Sequence, residues 1–416
     1  MIQTIRGFRD ILPDEISVWQ RIEQEAKNIF ENFGFKEIRL PILEKTEVFA
    51  RGIGENTDIV EKEMFTFPDS KGKNQTMRPE ATASIVRSYI QHKMYAREPE
   101  QKLYTIGPMF RKERPQKGRY RQFYQINAEV LGIDSPILDA QILVMLNLLF
   151  KKLEVKNLST KINSLGCPLC RKTYNEALLS FIGNAKNLCE DCERRKTKNP
   201  LRILDCKVES CRKQLEGAPL LKDYLCDECR THFETLKNCL ELENISYEID
   251  DYLVRGLDYY TKTAFEIQTK ELGAQSAVAG GGRYDGLIEI LGGPKTPGIG
   301  FAIGFDRLVE IIAAKNMENN NFAPLVYFLA FGKKASEKAF KLCNELASKG
   351  IRAEMDFSDK SMKALMKKAN KSNCRFCAII GETEVEKGMI SLKNMELGSQ
   401  EEILEKDFIS TMEKNI

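Results

Sequence analysis

Between Phe110 and Gln125 the chain reads FRKERPQKGRYRQFYQ, with six Lys or Arg, a single acid and interleaved aromatic rings. That mixture suits a polyanion, because guanidinium groups take phosphate oxygens in pairs and a ring can stack on a base. Arg111 and Glu113 lie two apart. On a strand both would face one side, setting a bidentate cation beside an acceptor for an amine or a metal. An ion pair on a solvated strand has the same spacing. The second half tips the balance, since Arg119, Arg121, Phe123 and Gln125 alternate and would share one face of a following strand.

Three further stretches carry chemistry. RPEATAS places Glu80 and Thr82 just after a proline, where they could hold an ammonium group or simply open a helix. LVRGLDYYTKTAFEI (253–267) puts Arg255 in an expected half-buried strand. A buried arginine requires a counter-charge, from Asp258 or from a ligand. The neighbouring Tyr259 and Tyr260 read equally as packing. GGGRYDGL (280–287) lacks the GKS or GKT of a P-loop, so its glycines point to close backbone approach or a sharp turn. GIGFAIGFDRL (298–308) brings Arg307 to the start of a helix, a combination that binds phosphate.

Eight of the twelve cysteines fall in CPLC, CEDC, CKVESC and CDEC: Cys167, Cys170, Cys189, Cys192, Cys206, Cys211, Cys226 and Cys229. The N-terminal MIQTIRGFRDILPDE has no apolar signal core, so a cytoplasmic location is expected and disulfides are not. Paired CxxC spacing then points to structural Zn²⁺ held in closed four-thiolate sites. Spacing leaves the pairing open. One scheme joins Cys167 and Cys170 to Cys226 and Cys229, leaving the other four for a second site. Cys374 and Cys377 sit in an apolar strand and read as core.

The elements that must position these residues follow from hydrophobic period. A helix over 16–32 buries Trp19, Ile22, Ala26, Ile29 and Phe30, and 36–43 reads as a strand interrupted by Pro41. A hairpin around DSKGKN, a helix over 82–95, a strand over 102–110 and an apolar helix over 139–152 come next. The Cys-rich block, 161–235, breaks the strand-rich pattern, which resumes at 246 and ends in a polar, Asn-rich linker near 315–324. Beyond it strands and helices alternate, as in a small α/β domain with a largely parallel sheet. At 416 residues, 42% apolar and 30% charged, the chain suits several globular domains, and no stretch is apolar enough for a membrane span. A net charge of +3 confines any nucleic-acid contact to local patches.

Taken together and in order, these motifs resemble those of class II aminoacyl-tRNA synthetases. GFKEIRLP (34–41) resembles motif 1, FRKE…RYRQF motif 2 and GIGFAIGFDRL motif 3, while LVRGLDYYTKTAFE and GGGRYDGL resemble signatures of the histidyl-tRNA synthetase family. The resemblance implies an α+β, α/β multidomain fold. Its parts are an antiparallel-sheet catalytic core (1–160 and 236–316), an inserted Cys-rich small domain meeting the tRNA acceptor stem (161–235), a linker (317–323) and an α/β anticodon-binding domain (324–416). It implies L-histidine, ATP with Mg²⁺, tRNA(His) and a second copy of the chain, joined through the core, as partners. Arg111 would hold the α-phosphate, Glu113 would lie beside the ATP, Phe123 would stack on adenine, and Arg119 and Arg307 would grip the distal phosphates. Glu80, Thr82 and Gln125 would take the α-amino group. Glu129 and Tyr260, with Tyr259 beside them, would take the imidazole. Arg255 would bridge the histidine carboxylate and the α-phosphate. Arg114 and Gln116, in the turn, would reach the tRNA end. Ala81 stands where the family usually has glycine. In the last domain Lys360, Lys363, Lys367, Lys368 and Lys371 form a basic face open to RNA phosphates or to solvent. Two rivals differ in class: a non-catalytic regulatory relative serving histidine biosynthesis, which would lack the last domain and catalytic arginines, and an RNA-binding module without catalysis.

Overall fold

The computed structural model describes residues 1–55, 57–116, 118–183, 185, 188–269, 277–314, 323–358 and 361–415. The chain divides into two compact units, Met1–Met317 and Glu318–Ile416. Most of the linker and Lys360 lie outside the described residues.

In chain order the strands of the first unit are β1 (Lys36–Glu37), β2 (Leu43–Lys45), β3 (Phe65–Pro68), β4 (Asn74–Met77), β5 (Gln101–Phe110), β6 (Gln122–Leu131), β7 (Leu158–Ser164), β8 (Glu248–Ile249), β9 (Thr261–Thr269), β10 (Ala277–Arg283) and β11 (Gly298–Gly304). Eight of them form one sheet in the order β1-β5-β6-β11-β10-β9-β7-β8, antiparallel except at its two edge pairs. The remaining three form a small antiparallel sheet, β2-β4-β3.

Pro41 explains why the expected strand over 36–43 is split. Without an N–H it cannot continue a ladder. The chain therefore leaves the large sheet after Glu37 and enters the small one at Leu43. The expected helix over 82–95 also divides, since Lys93 adopts a left-handed φ of 49° between helices Thr82–Gln91 and Met94–Arg97.

One face of the large sheet is covered by helices Pro13–Asn32, Pro136–Lys152, Asp227–Leu242 and Phe305–Ala313, which supply much of the main core. Helix Pro136–Lys152 is apolar almost all round, and Leu143, Leu146, Leu149 and Phe150 are buried with Phe265 and Phe301 of the sheet. The other face carries a second core shared with helix Thr82–Gln91 and the Cys-rich block, and leaves room for the cavity described below.

That block is narrower than expected. Residues 161–164 belong to β7, and 227–235 to a helix whose Phe233, Leu236 and Leu240 enter the main core. Between them lie short helices, Pro168–Ile182, Glu190–Lys198 and Glu209–Gln214.

The second unit holds β12 (Val326–Ala330), β13 (Ala353–Met355), β14 (Phe376–Ile380), β15 (Met389–Asn394) and β16 (Gln400–Leu404), ordered β13-β12-β14-β15-β16. Its sheet is mixed rather than largely parallel: β12 pairs parallel with β13 and β14, while β14–β15 and β15–β16 are antiparallel. The last hairpin escaped the sequence reading because QEEIL is almost wholly exposed and lacks an alternating apolar face. Cys374 and Cys377 are buried in its core. Among the described residues no helix is long and apolar enough to cross a membrane.

Candidate active site

A cavity of about 280 Å³ opens on the second face of the large sheet. Strand β6 supplies Phe123, Gln125 and Asn127, alternate residues on one face, and β10 and β11 supply Gly280 and Phe301. Glu80 and Thr82 reach it from the start of helix Thr82–Gln91, and Arg111, Glu113 and Arg119 from the segment joining β5 to β6. Arg255, Tyr259 and Tyr260 come from the loop before β9, and Arg307 from the first turn of helix Phe305–Ala313.

Charge is polarised across this space. At one end stand Arg111, Arg119, Arg255 and Arg307. Arg119 Nε lies 2.7 Å from Glu113 Oε2, and Arg111 Nη1 lies 3.7 Å from Glu113 Oε1. Arg111 Nε also donates to the Pro79 carbonyl at 2.9 Å, and its guanidinium covers the Phe123 ring at 5.2 Å. Arg307 Nη1 donates to the Ala277 carbonyl at 2.6 Å. Burial and the nearby Arg119 lower the Arg307 pKa.

At the other end lie two closed carboxyl groups. Glu80 accepts from the backbone N–H of Thr82 (2.7 Å) and Ala83 (2.8 Å), so it caps the helix while bordering the cavity. Glu129 accepts from Thr82 Oγ1 at 2.6 Å and from Tyr284 Oη at 2.5 Å. Burial raises the pKa of both, that of Glu129 to about 8.

Two glycines make this packing possible. A Cβ on Gly280 would strike the Arg255 guanidinium, and one on Gly300 would strike the Glu129 carboxyl. Among the described residues Gln125 Oε1, both amide atoms of Asn127 and Arg255 Nε are buried without a hydrogen-bond partner. Such orphaned groups facing a cavity favour a polar ligand.

Several expectations change in detail. Strand β5 stops at Phe110, so Arg111 and Glu113 lie on irregular backbone; it is their shared ion pairing that brings them together. Arg121 leaves the cavity: its N–H donates to the Gly7 carbonyl at 2.8 Å and its side chain lies over Gly7. Arg255 sits in a loop, not a strand, and its partner is Glu266, 2.8 Å away, rather than Asp258. Glu129 lies behind the lining instead of in it. Arg114 and Gln116 are exposed on the β5–β6 connection, where Gln116 exchanges backbone hydrogen bonds with Arg119.

Sequence reasoning missed Asn127, although it shares the alternation of Phe123, Gln125 and Glu129. It also missed Glu266 and Tyr284, whose partners lie far along the chain. Arg283 escaped notice as well. It is fully buried, its Nε donating to Asp139 Oδ1 at 2.9 Å and its Nη1 to Asp285 at 2.9 Å. His232 and Thr263 complete the same network through Asp139.

The eight paired cysteines gather into two clusters, Cys167, Cys170, Cys226 and Cys229, and Cys189, Cys192, Cys206 and Cys211. Within each, the four sulfurs lie within 4.8 Å of one another. Sγ–Sγ distances of 3.5, 4.0 and 3.9 Å sit near the ~3.8 Å edge of a tetrahedron with Zn–S bonds of about 2.3 Å. Cys167, Cys189 and Cys226 each stand at a helix N-terminus, with the second cysteine of the pair in the first turn. Backbone N–H groups donate to Cys170 Sγ and Cys211 Sγ at 3.2 and 3.1 Å. Helix N-termini and N–H donors both favour thiolates, so the donor sets fit zinc.

Comparison with known proteins agrees across the chain. The family model described as Histidyl-tRNA synthetase matches residues 7–180 and 182–308, and the one described as Anticodon binding domain matches 325–415. A histidine–tRNA ligase of Desulfatibacillum aliphaticivorans is 56% identical over 404 residues, 97% of this chain and 96% of its own. The structure of apo S. aureus histidyl-tRNA synthetase is similar with a TM-score of 0.85 at 36% identity, covering 99% of this chain and 100% of its own. A Bacillus halodurans protein described as an ATP phosphoribosyltransferase regulatory subunit/histidyl-tRNA synthetase shares the fold at 19% identity, with a TM-score of 0.66 over 91% of this chain and 97% of its own.

Proposed function

The chain belongs to the histidyl-tRNA synthetase family, and on that premise we propose how its cavity serves a histidine–tRNA ligase. The enzyme joins L-histidine to ATP as histidyl-adenylate, releasing pyrophosphate, and then passes histidine to the 3′ end of tRNA(His). The observation that carries the reading is the cavity lined by Arg111, Arg119, Arg255 and Arg307 together with the closed carboxyl group of Glu80, and backed by Glu129 through Thr82.

Histidine lies with its α-amino group toward Gln125, Thr82 and Glu80, and its imidazole toward Glu129, Tyr259 and Tyr260. Asn127, with both amide atoms unpaired, adds a further polar contact. Arg255 holds the amino-acid carboxylate against the α-phosphate, which Arg111 grips from the other side. A carboxylate oxygen then attacks the α-phosphorus, and the α–β bridging bond breaks as pyrophosphate leaves. Arg119 and Arg307 take up the charge of that leaving group, and Phe123 offers its ring to adenine. Such chemistry needs positioning and charge stabilisation more than a general base. Glu113, which lines the cavity among the arginines, would help to hold a Mg²⁺ bound with the nucleotide, whose charge would offset that of the phosphates.

Arg114 and Gln116, exposed on the β5–β6 connection, contact the tRNA end. The Cys-rich insertion faces the acceptor stem, and the C-terminal domain, with Lys363, Lys367, Lys368 and Lys371, takes the anticodon. The two cysteine clusters would each hold a structural zinc ion in the insertion. The likeness of GFKEIRLP (34–41) to motif 1 supports a homodimer through the core. A cytoplasmic setting suits both free thiolates and tRNA.

Charging of a tRNA(His) transcript with labelled histidine tests the reading. ATP-dependent charging is expected, and none from intact, zinc-loaded protein would refute it. The same outcome would favour the regulatory alternative, against which the retained Arg111, Arg255, Arg307 and C-terminal domain argue.

A further inference from the structure

The loop that carries Arg255, Tyr259 and Tyr260 has little regular structure of its own, yet residues next to or bracketed by both cysteine clusters hold it by hydrogen bonds. Cys192 and Cys206 bracket a segment whose side chains reach that loop. Asn199 Nδ2 donates to Asp258 Oδ1 at 2.8 Å, and Arg202 Nη1 donates to the Arg255 carbonyl at 3.2 Å. Leu201 and Ile203, in the same segment, are buried with Val254, Tyr259 and Tyr260. At the loop's other end Arg171, next to Cys170, donates to the carbonyls of Tyr260 and Leu165. Asp258 is anchored in turn, its N–H donating to the Ile53 carbonyl at 3.1 Å.

We propose that the two cysteine clusters are metal-held braces for the Arg255 loop, with Asn199 and Arg202 as positioning residues for histidine activation. The insertion would then serve the first chemical step as well as tRNA. The reason is entropic: a metal at Cys189, Cys192, Cys206 and Cys211 closes the segment 193–205 and keeps Asn199 and Arg202 at hydrogen-bonding distance. Opening it frees the loop, and a displacement of about 1 Å at a reacting group can cost ~10²-fold in rate. The proposal rests on reading the cavity as the site of histidine activation.

The test is ATP–pyrophosphate exchange without tRNA, paired with hydrogen exchange of the amides in Leu253–Tyr260 and elemental analysis. Asn199→Ala and Arg202→Ala are expected to raise the histidine KM about tenfold or more with little change in the ATP KM, and to speed amide exchange in the loop. Arg202→Lys, which keeps a donor, should restore most of the affinity, and Lys213→Ala, on the exposed face, should behave as wild type. The intact protein should hold two zinc ions per chain, and their removal should reproduce the alanine variants. Unchanged histidine KM and unchanged amide protection in both alanine variants would overturn the brace, as would intact protein free of metal. Should the wild type show no histidine-dependent exchange, the activity reading fails instead, and amide protection still decides the brace.

Discussion

The two ends of the cavity are built in opposite ways. At the arginine end three of the four side chains project from irregular segments and stay partly open, with 42% exposure at Arg119 and 19% at Arg111 and Arg255. At the carboxyl end Glu80 and Glu129 are 3% and 1% exposed, and each accepts two hydrogen bonds from regular elements or their caps. The difference follows from what each end must do. A flexible polyanion is best met by cations that can still move and whose present partners it can displace. A small amino acid is best distinguished by a closed site whose polar groups are fixed beforehand.

Substitutions at the two ends should therefore fail differently. The largest effect is expected from Arg255→Ala, which should lower pyrophosphate exchange by about 10³-fold or more. tRNA affinity, read by filter binding, should stay within about twofold. Equal loss of both would assign Arg255 a structural role. Next in size is Arg283→Met, away from the cavity. It leaves the fully buried Asp139 with only His232 and Thr263 as partners and should destabilise the first unit by roughly 3–5 kcal/mol, read as a drop in the thermal or urea midpoint. A wild-type midpoint would mean that the buried pair contributes nothing.

Glu129 sharpens the comparison through pH. Its folded pKa, about 8, is above the ordinary carboxylate range. The neutral carboxyl thus stabilises the fold fully below that range, and the contribution is lost as pH rises through 8. Thermal stability should fall more between pH 7 and 9 in the wild type than in Glu129→Gln. Histidine KM should decrease over the same interval, as the ionised carboxylate gains strength as an acceptor for an imidazole N–H, and should stay flat in Glu129→Gln. Parallel profiles for the two proteins would remove Glu129 from recognition. The smallest effect is expected at Lys36→Ala: its pair with Glu98 is 71% and 61% exposed, so neither activity nor melting should change measurably.

What could be read from sequence depended on how local its physics is. Phe123 and Gln125 were legible because a strand alternates, Glu129 only through the family resemblance, and the cysteines because metal ligands come in close pairs. The partner of Arg255 was not legible, because Asp258 is nearer in sequence while Glu266 is nearer in space. Arg283 was hidden by the glycines before it, since nothing local shows that Asp139 waits beneath the sheet. Strand β16 was hidden for a simpler reason: an exposed edge needs no apolar face. The strand expected through the start of Phe110–Gln125 was wrong in its geometry, since β5 ends before the first arginine.

The central claim is that the polarised cavity brings histidine and ATP together without help from tRNA. It is tested most directly by pyrophosphate exchange of the zinc-loaded protein with ATP, Mg²⁺ and one amino acid at a time. Exchange with histidine and none with any other amino acid is the predicted result. No exchange with histidine, or equal exchange with another amino acid, would contradict it.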